Sequence, residues 1–219
     1  MTSTRQGFNQ ELEVLRQEIL HMGTRVEQAI GQAVLSLTKQ DLELAKEVMA
    51  GDDAIDNMES DIEDKCMVLI ARQQPLARDL RIIGTGLKIT TDLERVGDHA
   101  FDIAKITLSI AKQPLIKPLV DIPRMSAMAQ KMLTDSLLAY INLDMTLAEQ
   151  VCADDDAVDD IYHQTFRELL TYMMEDPTNI KQATQLLFVA RYLERVADHA
   201  TNIGEWVIYL VTGQRMRKK

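Results

Sequence analysis

The chain has 219 residues, 46% of them hydrophobic and only 5% aromatic, with a formal net charge of -10. That apolar content supplies a core for one large domain or two small ones, and the acidic balance excludes nucleic acid, whose phosphates are held by clustered Lys and Arg. No run approaches the roughly 18 apolar residues of a membrane span, and residues 1–7 lack the apolar stretch of a signal peptide, so a cytoplasmic protein is expected.

Leu, Ala, Glu, Lys, Gln and Met dominate, Gly and Pro are scarce, and no strand-like runs of β-branched residues occur, which predicts an all-α fold. Phe8, Leu12, Leu15, Ile19, Met22, Val26, Ala29, Ala33 and Leu37 recur at steps of mostly four and three, the seam of a first bundle helix. After the Thr38-Lys39-Gln40 corner, Asp41 is a fitting N-cap for a second helical stretch that runs to Gln73-Gln74, is disturbed at Gly51, and is stopped by Pro75. Asp79 signals the start of a third helix, which continues until Pro114 and Pro118 mark a linker.

The plan then repeats. Slid by about a hundred residues, the chain matches itself: Met22 falls on Met125, Asp41 on Asp144, and Asp52-Asp53-Ala54-Ile55-Asp56 on Asp155-Asp156-Ala157-Val158-Asp159. Leu93-Glu94-Arg95-Val96-Gly97-Asp98-His99-Ala100 returns as Leu193-Glu194-Arg195-Val196-Ala197-Asp198-His199-Ala200. A helix from about Asp121, a corner near Asn142-Leu143-Asp144, a long helix to Glu175-Asp176, a break at Pro177 and a last helix to Thr212-Gly213 complete the second copy. Short corners favour antiparallel neighbours, so two tandem, internally repeated three-helix bundles are expected, over 1–115 and 120–215, end to end or side by side.

The duplicated segment carries chemistry. Glu94 and Asp98, and again Glu194 and Asp198, stand four residues apart, which stacks two carboxylates on one helix face, where they repel. The second helices offer Asp52 with Asp56 and Asp155 with Asp159 at the same spacing, and the next step along the third helices adds Asp102 and Asn202 as oxygen donors. An ordinary solvated face intersperses Lys or Arg, whereas this ladder is unbroken, so these ten residues are the candidate metal ligands. Oxygen-rich sites suit Mg, Mn, Ca or Fe better than thiol-preferring metals. Residue types alone do not separate divalent or trivalent Fe, Mn, Mg, Zn and Ca.

Neighbouring residues receive structural readings. Arg95 is placed to pair with Asp92, and Arg195 with the neighbours of Arg191. His99 and His199 are turned about 100° from the adjacent Asp, for interhelix or hydrogen-bonding roles and not ligation. Cys66 and Cys152 occupy unmatched places in the repeats and read as small hydrophobes, not a disulfide. Met22, Met49, Met67, Met125 and Met132 fall at core spacings. The apolar run 206–211 is expected to dock on the bundle, leaving Arg215, Arg217, Lys218 and Lys219 as a basic tail available to anionic lipid or a partner.

Catalytic machinery is missing from the pattern: there is no nucleophile elbow, P-loop or dinucleotide fingerprint. The Glu18-Ile19-Leu20-His21 element that a di-iron bundle needs in pairs occurs once. The expectation is a non-enzyme.

The duplicated signature, the Gln74-Pro75-Leu76-Ala77-Arg78-Asp79-Leu80-Arg81 segment and the Asp-rich second helices resemble the PhoU family of phosphate-uptake regulators over nearly the whole chain. The resemblance implies paired three-helix bundles whose (E/D)-x-x-x-D motifs hold multinuclear metal clusters, here at Asp52/Asp56, Glu94/Asp98, Asp155/Asp159 and Glu194/Asp198. It further implies a cytoplasmic negative regulator of the phosphate-starvation response. Such a protein links the ATPase subunit of the ABC-type phosphate transporter to a sensor histidine kinase, meets the membrane only through those partners, and self-associates as a homodimer. A polynuclear metal store without a signalling role is the alternative.

Overall fold

A computed structural model describes residues 2–215, and within them the chain folds into seven α-helices. These are α1 (Thr2–Lys39), α2 (Leu42–Ala50), α3 (Asp52–Gln73), α4 (Ala77–Ile110), α5 (Asp121–Asn142), α6 (Met145–Glu175) and α7 (Ile180–Thr212), with one 3-10 turn at Pro177–Asn179. No strand occurs among the described residues. The basic residues Arg217, Lys218 and Lys219 lie outside them.

Local chemistry sets the boundaries. The Asp41 carboxylate accepts the Glu43 and Leu44 N–H groups at 3.0 and 3.1 Å, and its repeat, Asp144, accepts the Leu147 N–H at 3.1 Å, so both second rods begin on a satisfied N-cap. Gln40, Gln74 and Leu143 turn the corners in left-handed backbone, at φ of 53°, 43° and 52°. Gly51 divides the first of these rods into α2 and α3, yet it keeps helical angles (φ -81°, ψ -13°), so the break is a bend. Asp154 stands at the matching position, and α6 runs through it. With α2 and α3 taken as one bent rod, each half is a three-helix bundle.

The third rod starts two residues before Asp79. Ala77 opens α4 behind Pro75, and Asp79 sits buried in the first turn, where a carboxylate favours the positive end of the helix.

The expected seam of α1 is buried from Phe8 to Leu37, with Ala29 partly covered at its edge. In the first half α1, α3 and α4 enclose the core, and in the second α5, α6 and α7 do. Met22, Met125 and Met132 are buried and Met49 packs against the core, but Met67 is 61% exposed. Ile55, Ile62, Cys66 and Leu69 form the inward stripe of α3, and Met67 lies a turn-step of about 100° off it. Both cysteines are free, Cys66 buried and Cys152 half-buried.

The two bundles lie side by side through α4 against α7 and α1 against α5. Helices α4 and α7 run antiparallel: Arg81 lies by Gly213, Asp92 meets His199 and Asn202, and His99 stacks on Tyr192. The linker is pinned to the second bundle by Gln182, which donates to the Pro114 carbonyl at 3.0 Å and accepts the Ile116 N–H at 2.6 Å. The run 206–211 docks as expected, with Val207, Ile208 and Leu210 buried.

Candidate metal sites

Helix α3 lies along α4, and α6 along α7, which brings the acidic ladders of each half face to face. In the first half the interacting set is Asp52 and Asp56 from α3 with Glu94, Asp98 and Asp102 from α4. Burial, then repulsion by Asp56, Asp98, Asp53 and Asp102, pushes the Asp52 carboxyl up to about 6. Glu94 is pushed up to about 7 by burial and Asp98, with Arg95 opposing and Glu59 and Asp56 adding to the rise. In the second half burial, Asp198 and Asp159 bring Asp155 up to about 6, and Asp159 and Glu194 are raised as well, by burial first and Asp198 next.

Each pocket of negative charge holds a guanidinium. Arg95 bonds Asp98 at 3.0 Å and Glu94 at 3.3 Å, and Arg191 is paired with Glu194. This differs from the expected Arg95–Asp92 pair, because Asp92 is already committed across the bundle interface. There its carboxylate meets His199 Nδ1 at 2.8 Å and accepts the Asn202 amide at 3.3 Å. Arg195 makes no ion pair among the described residues.

Asn202 therefore reaches the α4–α7 seam instead of the second acidic face. Its counterpart Asp102 has a double position, close enough to Asp52 to repel it and against the Tyr192 phenol, which burial and Asp102 raise above its usual range. His99 stacks on Tyr192 with ring centroids 5.4 Å apart and lies 5.8 Å from His199. Burial, then His199, Arg195 and Arg95, lowers His99 to about 4, so it is neutral at pH 7. Both histidines thus serve the interhelix contact.

Three participants escaped the spacing argument. Glu59 lies among Glu63, Arg95, Asp56 and Asp98 and is raised by burial, an i+3 extension of the Asp52–Asp56 ladder. His163 stands beside Asp159 as its i+4 neighbour. Thr201 stands beside Asp155.

The donor set fits a cation that prefers oxygen. Glu194 is only 8% exposed, and its Oε2 has no hydrogen-bond partner, a buried charged acceptor left unsatisfied. Among the described residues no three acidic or histidine side chains stand in a closed ligand cage. Like-charged carboxylates held only by a side guanidinium spread apart, so cation binding here requires them to swing inward and Arg95 or Arg191 to let go. Arg95→Gln together with Arg191→Gln is expected to tighten Mn(II) binding by about tenfold, because a competitor and a repelling charge leave together. Titration calorimetry checks this, and weaker binding by the double variant would contradict it.

Comparison with known proteins follows the same duplication. The family model for the PhoU domain matches residues 19–107 and again 122–207, taking in both acidic faces. A phosphate-specific transport system accessory protein PhoU homolog of Aquifex aeolicus is 48% identical over 93% of this chain and 92% of its own length. A protein of that same description from Clostridium acetobutylicum is 44% identical over 97% of this chain and 98% of its own. The crystal structure of PhoU from Pseudomonas aeruginosa superposes with a TM-score of 0.91 at 40% identity, covering 94% of this chain and all of that one. That of the phosphate transport system regulatory protein PhoU from Streptococcus pneumoniae gives 0.89 at 32%, covering 96% and 100%. Twin domains, relatives matched over more than nine-tenths of the chain and superposing crystal structures agree: this chain belongs to the PhoU family.

Proposed function

We propose that this chain is a cytoplasmic negative regulator of phosphate uptake and of the phosphate-starvation response, an adaptor between the ATPase subunit of the ABC-type phosphate transporter and the sensor histidine kinase. The observation that carries this reading is the match, over more than nine-tenths of the chain, to proteins named as accessories of phosphate-specific transport. An adaptor role also suits a chain whose sequence carries no nucleophile-elbow, P-loop or dinucleotide-fingerprint motif. Self-association as a dimer is part of the proposal.

Metal belongs to the mechanism as a structural element. Asp52, Asp56, Glu94, Asp98 and Asp102 would hold it in the first half, and Asp155, Asp159, Glu194 and Asp198 in the second. A bound Fe, Mn, Mg, Zn or Ca ion supplies the positive charge that offsets carboxylate repulsion between α3 and α4 and between α6 and α7. The chain's own carboxylates then draw the paired helices together and stiffen the outer faces that a partner would meet. The seam of Asp92, His199 and Asn202 keeps the two bundles in register, so both metal-bearing faces are presented as one rigid unit.

Affinity capture of the tagged full chain from phosphate-replete cells is expected to co-purify the transporter ATPase subunit and the sensor kinase, and deleting the gene should leave phosphate-starvation genes switched on in rich phosphate. If neither partner co-purifies and those genes keep their normal repression, the adaptor reading fails. A polynuclear metal store would give that result.

A further inference from the structure

Apart from the acidic faces, a cavity of about 440 Å³ opens along the α4–α7 seam, within the size range of small-molecule sites. Its lining is unusual for this chain. Trp206, the only tryptophan, and Tyr209 stand one turn apart on α7 with ring centroids 5.9 Å apart, edge to face. The Arg215 guanidinium lies over both rings, 5.1 Å from the Trp206 centroid and 5.9 Å from that of Tyr209. Lys88 reaches the same cavity from the exposed face of α4.

Neither Lys88 nor Arg215 forms an ion pair among the described residues, although Asp92 and Glu205 line the cavity with them. Asp92 is engaged by His199 and Asn202. Two unpaired cations thus flank an aromatic surface, an arrangement that pairs one planar ring with one anion: the ring stacks on the indole, and the anion bridges the two positive heads.

We propose that this cavity binds a nucleotide, its base stacked between the Trp206 indole and the Arg215 guanidinium and its phosphate held by Lys88 and Arg215. A base stacked on both faces needs about 7 Å between indole and guanidinium, so Arg215, 5.1 Å from the Trp206 centroid, swings outward to admit it, a movement that breaks no ion pair. Glu205 is left to accept hydrogen bonds from ribose hydroxyls, the usual partner of a carboxylate in such sites. The cavity adjoins the Asp92–His199 contact between the bundles, so its occupant touches both halves of the molecule. Of the candidate ligands only Asn202 reaches this cavity, with its amide turned to Asp92 and away from the acidic faces, so the inference stands or falls independently of metal.

The single tryptophan gives a local readout. With the full chain in EDTA, which removes metal-bridged binding at the acidic faces, AMP should quench Trp206 fluorescence and be retained in equilibrium dialysis. Adenosine and inorganic phosphate should each bind at least tenfold more weakly. Lys88→Gln with Arg215→Gln should weaken AMP at least tenfold with far-UV circular dichroism unchanged. Lys88→Gln alone, on an exposed helix face, supplies the same test at a several-fold loss should the tail substitution disturb the end of α7. No retention of AMP at millimolar concentration overturns the proposal. So does inorganic phosphate binding as well as AMP, or wild-type affinity in the Lys88 variants.

Discussion

Acidifying the metal-free protein from pH 8 to about 6.5 is expected to raise its Tm by roughly 3 °C, the reverse of ordinary acid destabilisation. Asp52 and Asp155 titrate near 6 and Glu94 near 7 in the folded chain, against ordinary values of 3.8 and 4.5. The folded state therefore binds more protons than the unfolded one between those limits. Stability from these groups is fully present below about 4 and is lost as pH rises through 6 to 7. His99 opposes them, since its folded value of about 4 lies under the ordinary 6.5, but its penalty is still small at pH 6.5, where the unfolded imidazole is half protonated, and grows mainly below it. The upper part of the window belongs to the carboxylates.

Metal inverts the slope. Protons and cations compete for the same oxygens, so the Mn-loaded protein should be most stable near pH 8 and lose its advantage over the metal-free form as pH falls through 6. Differential scanning fluorimetry with EDTA and with Mn(II), at pH 8, 7 and 6.5, checks both curves. A metal-free Tm that falls steadily across that range would show that the carboxylates do not repel one another in solution.

Replacing Glu94 and Asp98 together by Ala has the second large expected effect: bound metal should fall by about half, because an equivalent face survives at Glu194 and Asp198. Replacing the second pair should do likewise, and the fourfold variant should bind none. Removing two like charges from one face of α4 should also leave the metal-free protein at least as stable as the parent at pH 8, which separates loss of ligands from loss of fold. Elemental analysis of each purified variant beside its thermal melt gives the result. Unchanged metal content in the Glu94/Asp98 variant would move the site elsewhere.

Features carried by period and local chemistry were legible in the sequence. The α1 seam from Phe8 to Leu37, the N-caps at Asp41 and Asp144, the bend at Gly51 and the stops at Pro75 and Pro177 all depend on neighbours within a turn or two, and the structure has them there. The facing of Asp52 and Asp56 toward Glu94 and Asp98 followed from repetition, since one face used twice in a chain is constrained twice.

What a residue meets on another helix was not legible. Arg95 at i+3 from Asp92 satisfies the spacing rule, but Asp92 is drawn off by His199 from the opposite bundle, and the guanidinium turns to Glu94 and Asp98. Asn202 occupies the same step as Asp102, yet the antiparallel crossing of α4 and α7 aims its amide at Asp92. Met67 has core chemistry at a position that the stripe of Ile62, Cys66 and Leu69 leaves outside. Glu59 had a visible signal, the i+3 continuation of the ladder, that a search for i+4 pairs passes over.

If each half of this chain holds cations between facing acidic helices, the bound ions can be counted. The full-length protein is stripped with chelator, dialysed at pH 7.5 against Mn(II) or Fe(II), desalted and assayed for metal per chain. At least two ions per chain, one or more in each half, should be retained and then released as pH is lowered through 6. Metal content no higher than that of the buffer would rule such sites out.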